Sequence, residues 1–433
     1  MSEFARQPVA GRIFLIALCG GGDRPDPALG GRTSFEAAAT PHLDRLATAG
    51  VSGLLDVIGE RVPPESDSGA MALLGYDPLV HYTGRGPLEG LGMGFLEAGG
   101  GYCAAFRINF ASARPGSGEL DRRTSRDLSD AELAVLVEEL LAGVTMPAGV
   151  TLRLTGFGRH RGILAFTSRT VPLSGQVSNT DPGFVNRGAF GIPVNTPVST
   201  PLEAKPLVDD DAAGYTAMLV NDFVRQSGEI LRRSEVNETR TRAGRRPANT
   251  ILVRDGGSRP PKLPGFAAGK LALSMYGQVP AERGLAGLIG GRFTTARTGP
   301  GQTDPQFYQE LVPAVLADPA DVVFVHLKGP DEPGHDGQPA DKVRAISEID
   351  AGFVGPLADR LTPADTLVVT CDHATPCALG IHSADQVPAV VFGPGVRPDA
   401  VTAFGEGPAA RGALPVQRAK DLLGWLISIR TTT

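Results

Sequence analysis

The sequence predicts an α/β fold: a doubly wound, mainly parallel sheet into which a smaller α+β domain is inserted. Three short apolar runs, each ending in a polar loop, carry that expectation. Arg12 to Leu18 runs into Cys19 and Gly20-Gly21-Gly22, Asp321 to Leu327 into Lys328-Gly329-Pro330-Asp331, and Thr366 to Thr370 into Cys371-Asp372-His373. Short runs that are apolar on both faces suit strands covered on both sides, as in the middle of a parallel sheet. The second observation is the segment joining the last two runs. Val343, Ile346, Ile349, Phe353 and Leu357 recur at helical spacing and predict a helix over Lys342 to Leu361. Strand, loop, helix, strand is the order of a doubly wound sheet.

Taken in order, the first run is far too short to span a membrane and lacks the layout of a secretion signal, so it reads as a buried strand. From about His81 to about Phe266 the pattern changes to glycine-rich turns, a helical stretch at Ser129 to Leu141, short strands around Leu152 and Ile163, and a proline-rich connection from Pro193 to Pro206. This predicts a core of residues 1–80 and 266–433 and an inserted domain of residues 81–265. The charge-dense stretch Arg232 to Arg246 reads as a solvated helix end and loop.

Composition bounds the function. With 42% apolar and 20% charged residues, the 433-residue chain has material for a full core. A net charge of −6 argues against a nucleic-acid surface, which needs a basic field. A small anionic ligand would have to be gripped by local arginines. The cysteines Cys19, Cys103, Cys371 and Cys377 are too scattered for a disulfide framework and fit a reducing cytoplasm. Neither a membrane nor a nucleic-acid partner is expected, and the oligomeric state is not legible.

The residues beyond the carboxyl ends of such strands meet in space even when they are distant in sequence. Asp331-x-x-x-His335, Asp372-His373 and His382 all fall in such loops or beside them. A single loop histidine is more often a surface hydrogen-bonding group, but three of the chain's seven histidines sit at these positions. Carboxylate oxygen and imidazole nitrogen together suit two divalent cations, zinc, manganese or cobalt rather than calcium. Upstream, Pro64 to Leu74 turns from loop to helix at Ser66, where free N–H groups favour an anion. Local sequence alone favours reading Ser66 or Ser68 as a helix N-cap.

Segments spaced along nearly the whole chain resemble the archaeal-type cofactor-independent phosphoglycerate mutases of the alkaline phosphatase superfamily. They include Gly20 to Pro25, Thr40 to Leu46, Ser66-Asp67, Leu74 to Pro78, Tyr82 to Pro87, Phe106 to Phe110, Asp121 to Arg123, Pro247 to Arg254, Val325 to Asp331, Gly334 to Gly337, Thr370 to Cys377 and His382-Ser383. The resemblance implies an alkaline phosphatase-like core and a phosphoglycerate substrate. It implies two divalent metal ions, zinc or manganese, and no 2,3-bisphosphoglycerate. Ser66 would be the nucleophile, sharing one metal with Asp372 and His373, while Asp331, His335 and His382 would hold the other. Arg107, Arg123, Arg161 and Arg254 would bind substrate in the inserted domain.

Three departures from the family pattern stand out. Cys19 occupies the position of a metal-binding aspartate, Ala70 that of a histidine, and Asp255-Gly256-Gly257 replaces Gly-Ala-Gly. A thiolate binds zinc well and manganese or magnesium poorly. The departures keep two other functions open: a relative in phosphonate biosynthesis that moves a phosphonoformyl group from a CMP-activated donor onto phosphoglycerate, and a non-catalytic binder of phosphorylated ligands.

Overall fold

In the computed structural model, which describes residues 11–96, 101–114, 116–121, 124–196, 200–298 and 304–431, the chain divides into two compact units, Met1–His81 with Lys262–Thr433, and Tyr82–Pro261. The first unit begins with β1 (Ile13–Leu18) and β2 (Val51–Leu55). The second holds β3 (Tyr102–Ala113), β4 (Leu120–Asp121), β5 (Thr151–Phe157), β6 (Arg161–Ser168), β7 (Phe184–Arg187), β8 (Phe190–Pro193) and β9 (Thr250–Gly257). The chain then returns to the first unit with β10 (Leu273–Gly277), β11 (Arg292–Thr295), β12 (Val322–Leu327), β13 (Thr366–Thr370) and β14 (Val387–Phe392).

The first unit is an α/β fold on a seven-stranded sheet of order β11-β10-β12-β1-β13-β14-β2. Neighbours from β11 to β13 run parallel, whereas β14 is antiparallel to both β13 and β2. All residues of β1, β12 and β13 are buried, which explains why they are apolar apart from His326 in β12 and the threonines at either end of β13. Ala17 pairs with His326 on one side and Thr370 on the other, so these three strands stop level. Cys19, Lys328 and Cys371 to His373 therefore leave the sheet from one edge.

The helix expected over Lys342 to Leu361 is interrupted. It runs from Pro339 to Ile349, widens into a π turn over Asp350–Val354, and ends as Gly355–Ala358. The wide turn coincides with Asp350, whose buried carboxylate accepts the backbone N–H groups of His42 and Leu43 at 3.1 and 2.8 Å and so holds the first turn of helix Pro41–Ala49.

In the second unit β4, β3, β6 and β5 pair in that order, β9 adds to the other side of β3, and β7 and β8 form a hairpin. Phe106, Phe110 and Phe166 from the sheet pack with Leu136 and Leu140 of helix Asp130–Gly143 and Phe223 of helix Asp211–Leu231. Ser129 caps the first of these helices. Its hydroxyl accepts the Glu132 N–H at 3.1 Å, and the Glu132 carboxylate accepts the Ser129 N–H at 2.8 Å. The stretch from Arg232 to Arg246 is not wholly solvated, because Arg240 is fully buried. It donates to the carbonyl of Arg246 at 3.0 Å and pairs with Asp127 and Glu132, tying helix Glu235–Arg242 to the start of helix Asp130–Gly143. Among the described residues, no helix is long and apolar enough to cross a membrane.

Candidate active site at the ends of the parallel strands

Ser66 is the first residue of helix Ser66–Leu73, every residue of which is buried. Ser68, not Ser66, secures the helix start: its hydroxyl accepts the Glu65 N–H at 3.0 Å and lies 3.0 Å from the Glu65 carbonyl. Ser66 Oγ points instead at the strand ends, 3.5 Å from Cys19 Sγ, 3.4 Å from His373 Nε2 and 3.1 Å from Lys328 Nζ. The helix approaches so closely that a Cβ on Gly69 would lie 2.3 Å from the carbonyl oxygen of Asp372. Glycine is needed there for space rather than for an unusual backbone angle. Gly20, just after β1, needs both: its φ is +61°, and a Cβ would meet Asp331 Oδ1 at 2.5 Å.

Two trios of donor atoms surround this point. Cys19, Asp372 and His373, all buried, form one, and Asp331, His335 and His382 the other, with donor atoms in each trio within 4.8 Å of one another. The rings of His373 and His382 stack at 3.8 Å between centroids and link the trios. The spacing of Asp331 and His335 is explained by the short helix Asp331–His335, on which i and i+4 share a face.

The hydrogen bonds orient the imidazoles. His335 and His382 donate from Nδ1 to the carbonyls of Gly380 and Pro64 at 3.0 and 2.8 Å, leaving Nε2 of each 3.5 and 3.6 Å from Asp331 Oδ1. Thr375 donates to Asp331 Oδ1 at 2.8 Å and accepts from His373 Nδ1 at 3.1 Å, which turns His373 Nε2 toward Ser66 and Cys19. Metal-binding histidines commonly donate their second nitrogen to a carbonyl or other acceptor in this way, so the residues fit a pair of cations.

Burial pushes the Cys19 thiol up, Asp372 adds to the rise and Lys328 opposes it. Burial also pushes His373 down to about 3, which leaves its ring neutral near pH 7. For Lys328 burial favours the neutral amine, but Cys19, Asp331 and Asp372 outweigh it and hold the ammonium. For Asp331 burial favours the neutral acid, yet His382, His373 and His335 hold the carboxyl well below the usual range.

In the second unit Arg107 on β3 pairs across the ladder with Arg254 on β9. Glu89 is fully buried and binds Arg107 and Arg85, the latter at 2.9 Å. Burial, together with the nearby charges of Arg85, Arg254 and Arg161, brings the Arg107 guanidinium down to about 10. Arg254 also lies over the Phe184 ring, 4.0 Å from its centroid. Arg107, Arg161 and Arg254 are thus neighbours, while Arg123 lies outside the described residues.

The profile of the family described as 2,3-bisphosphoglycerate-independent phosphoglycerate mutase matches residues 47–237. A protein of that name from Aeropyrum pernix is 36% identical over 412 residues, covering 93% of this chain and 95% of its own length. Another, from Methanopyrus kandleri, is 38% identical over 409 residues, covering 93% and 92%. The chain belongs to the 2,3-bisphosphoglycerate-independent phosphoglycerate mutase family. Solved structures agree on the fold. A Pyrococcus horikoshii protein superposes with a TM-score of 0.76 at 27% identity over 98% of this chain and 99% of that one. The cofactor-independent phosphoglycerate mutase of Thermoplasma acidophilum gives 0.59 at 27% identity over 97% and 100%.

Within this family member, sequence reasoning passed over Lys328, His326, Glu282 and Thr375 as site residues. Lys328 follows β12 as Cys19 follows β1, and a histidine inside the apolar run ending at Leu327 was a visible anomaly. Glu282 has no signal beyond its place near a helix start.

Proposed function

We propose that the protein interconverts 2- and 3-phosphoglycerate through a phosphoserine at Ser66, with one divalent cation held by Cys19, Asp372, His373 and Ser66 and a second by Asp331, His335 and His382. The setting of Ser66 Oγ carries this reading: it stands at a helix start, 3.1 Å from the Lys328 ammonium and beside both donor trios. The substrate follows from the relatives named as mutases. In the first half-reaction a bond forms from Ser66 Oγ to phosphorus while the phosphorus–oxygen bond of the substrate breaks, and the serine proton is balanced by the one taken up on the departing glycerate oxygen. The second half returns the group to the neighbouring hydroxyl. The Lys328 ammonium and the helix N–H groups favour negative charge at Oγ and on the transferred group. Bound cations would lower the serine pKa and neutralise charge on the phosphoryl group.

The donor sets support different ions. Sulfur in the first favours zinc over manganese, whereas one carboxylate and two imidazoles accept zinc, manganese or cobalt. Arg107, Arg161 and Arg254, with Arg123 by resemblance, suit the carboxylate and phosphate of the ligand. The four cysteines are free thiols, in keeping with a reducing cytoplasm. Neither the site nor these relatives support the CMP-activated phosphonoformyl donor or the non-catalytic binder.

The test is formation of 2-phosphoglycerate from 3-phosphoglycerate by protein stripped with a chelator and then reloaded with zinc, manganese or cobalt in turn. Activity lost on stripping and restored on reloading is expected. No product with any ion would sink the reading.

A further inference from the structure

Asp372 is held at both carboxylate oxygens by groups outside its trio. Oδ1 accepts the backbone N–H of Gly20 at 3.0 Å, and Oδ2 accepts from His326 Nε2 at 2.9 Å. The other ring nitrogen, Nδ1 of His326, bonds to Oε1 of Glu282. Glu282 is itself fixed, because its Oε2 accepts the N–H groups of Gln278 and Val279 at 2.9 and 3.1 Å at the start of helix Pro280–Leu288. The end of β10 leaves room for it: a Cβ on Gly277 would lie 2.2 Å from that oxygen.

Glu282, His326 and Asp372 are all fully buried. Carboxylates accept, so the ring spans them as donor at both ends. Such a line through an apolar sheet is costly, and apolar side chains of similar volume would pack β12 at least as well. Its one outlet is Asp372, where it fixes which lone pairs remain to face Cys19 and His373. Hydrogen bonds of this kind behind a ligand orient it and tune the metal.

We propose that Glu282 and His326 are positioning residues, a hydrogen-bonded relay that holds the Asp372 carboxylate toward Cys19 and His373 and so sets the affinity of the first cation site. The proposal rests on the reading of that trio as a cation site. The second trio is oriented instead by the carbonyls of Gly380 and Pro64 and serves as an internal control.

The experiment is titration of metal-free, full-length protein with cobalt(II), whose sulfur-to-metal absorption reports the Cys19 site separately from the second site. Wild type should take up two equivalents, one with the sulfur band. Glu282→Gln should weaken the ion that gives the band by about 10- to 100-fold and leave the other unchanged. His326→Gln, which keeps an amide donor near Asp372, is the second variant and should shift the same site. Unchanged affinities, or an equal fall at both sites, would overturn the relay while leaving the cation reading intact. A wild type that shows no sulfur band would remove the cation reading and the relay with it. If neither variant folds, judged by circular dichroism, the line serves the fold and the proposal is overturned.

Discussion

The two donor trios sit side by side yet are built differently. Cys19, Asp372 and His373 follow two adjacent strands and are wholly buried, whereas Asp331 and His335 occupy a short half-buried helix and His382 a loop. The buried trio follows strand ends, and the backbone of Gly20 and the ring of His326 hold both oxygens of Asp372. The other trio is oriented mainly by single bonds to loop carbonyls. On the proposed function, the difference separates two tasks. A buried, over-determined set can hold a nucleophile in place, while a partly open set can admit a phosphoryl group and release it.

The largest expected effect tests the first half of that comparison. Ser66→Ala should lower turnover by roughly four orders of magnitude or more. It should leave the unfolding midpoint almost unchanged, because Ser68 holds the helix start. Turnover and phosphoserine formation, read by mass spectrometry, are the measurements; near-normal turnover would remove the covalent route. Next in size, His335→Ala and His382→Ala should each weaken one cation by more than roughly 100-fold, beyond what residues behind a ligand produce. Elemental analysis should then show the loss of one equivalent from each variant, and two retained equivalents would make these histidines structural.

Cys19→Asp should have a smaller effect, on ion preference rather than occupancy. An oxygen donor replaces sulfur, so manganese should gain and zinc should lose at the buried trio, with no change at the open one. Competition binding measures this. An unaltered preference would place Cys19 outside the cation's reach.

The last effect is on stability rather than on turnover or binding and concerns the support behind both trios. Lys342 donates to the carbonyls of Gly22 and Thr375 at 2.9 and 2.8 Å and pairs with Asp23, whose N–H is accepted by Glu406. Burial raises the Glu406 carboxyl from 4.5 to about 7. The folded state therefore holds this proton more tightly than the unfolded chain, so stability should fall as pH rises from about 4.5 to about 7. The full effect is on the order of 3 kcal/mol. Glu406→Gln should flatten that slope in urea unfolding across the same window, and parallel curves would show that Glu406 contributes none of it.

Much of the fold and of the site is legible in the amino-acid sequence, for reasons that can be named. The largely apolar runs before Cys19, Lys328 and Cys371 marked three strands, since a strand buried on both faces lacks the polar alternation of a half-exposed one. The i, i+4 spacing of Asp331 and His335 and the adjacency of Asp372 and His373 are local, so they survive in a linear reading. The resemblance added Ser66, which local sequence alone could not separate from a cap.

The local chemistry of each strand end can be read from the chain alone, because burial and periodicity leave their mark within a few residues. Which ends meet is settled by packing. The parallel register that sets Ala17 beside both His326 and Thr370 brings Cys19, Lys328 and Asp372 to one edge. The line from Glu282 through His326 to Asp372 joins residues far apart in the chain, and no pattern of neighbours encodes it. The same holds for Arg240, whose charge-rich surroundings suggested solvent but whose burial follows from the packing of one helix against the start of another. Long-range contacts depend on how whole elements pack, and a side chain's partner across the fold is set by that packing rather than by its own neighbourhood.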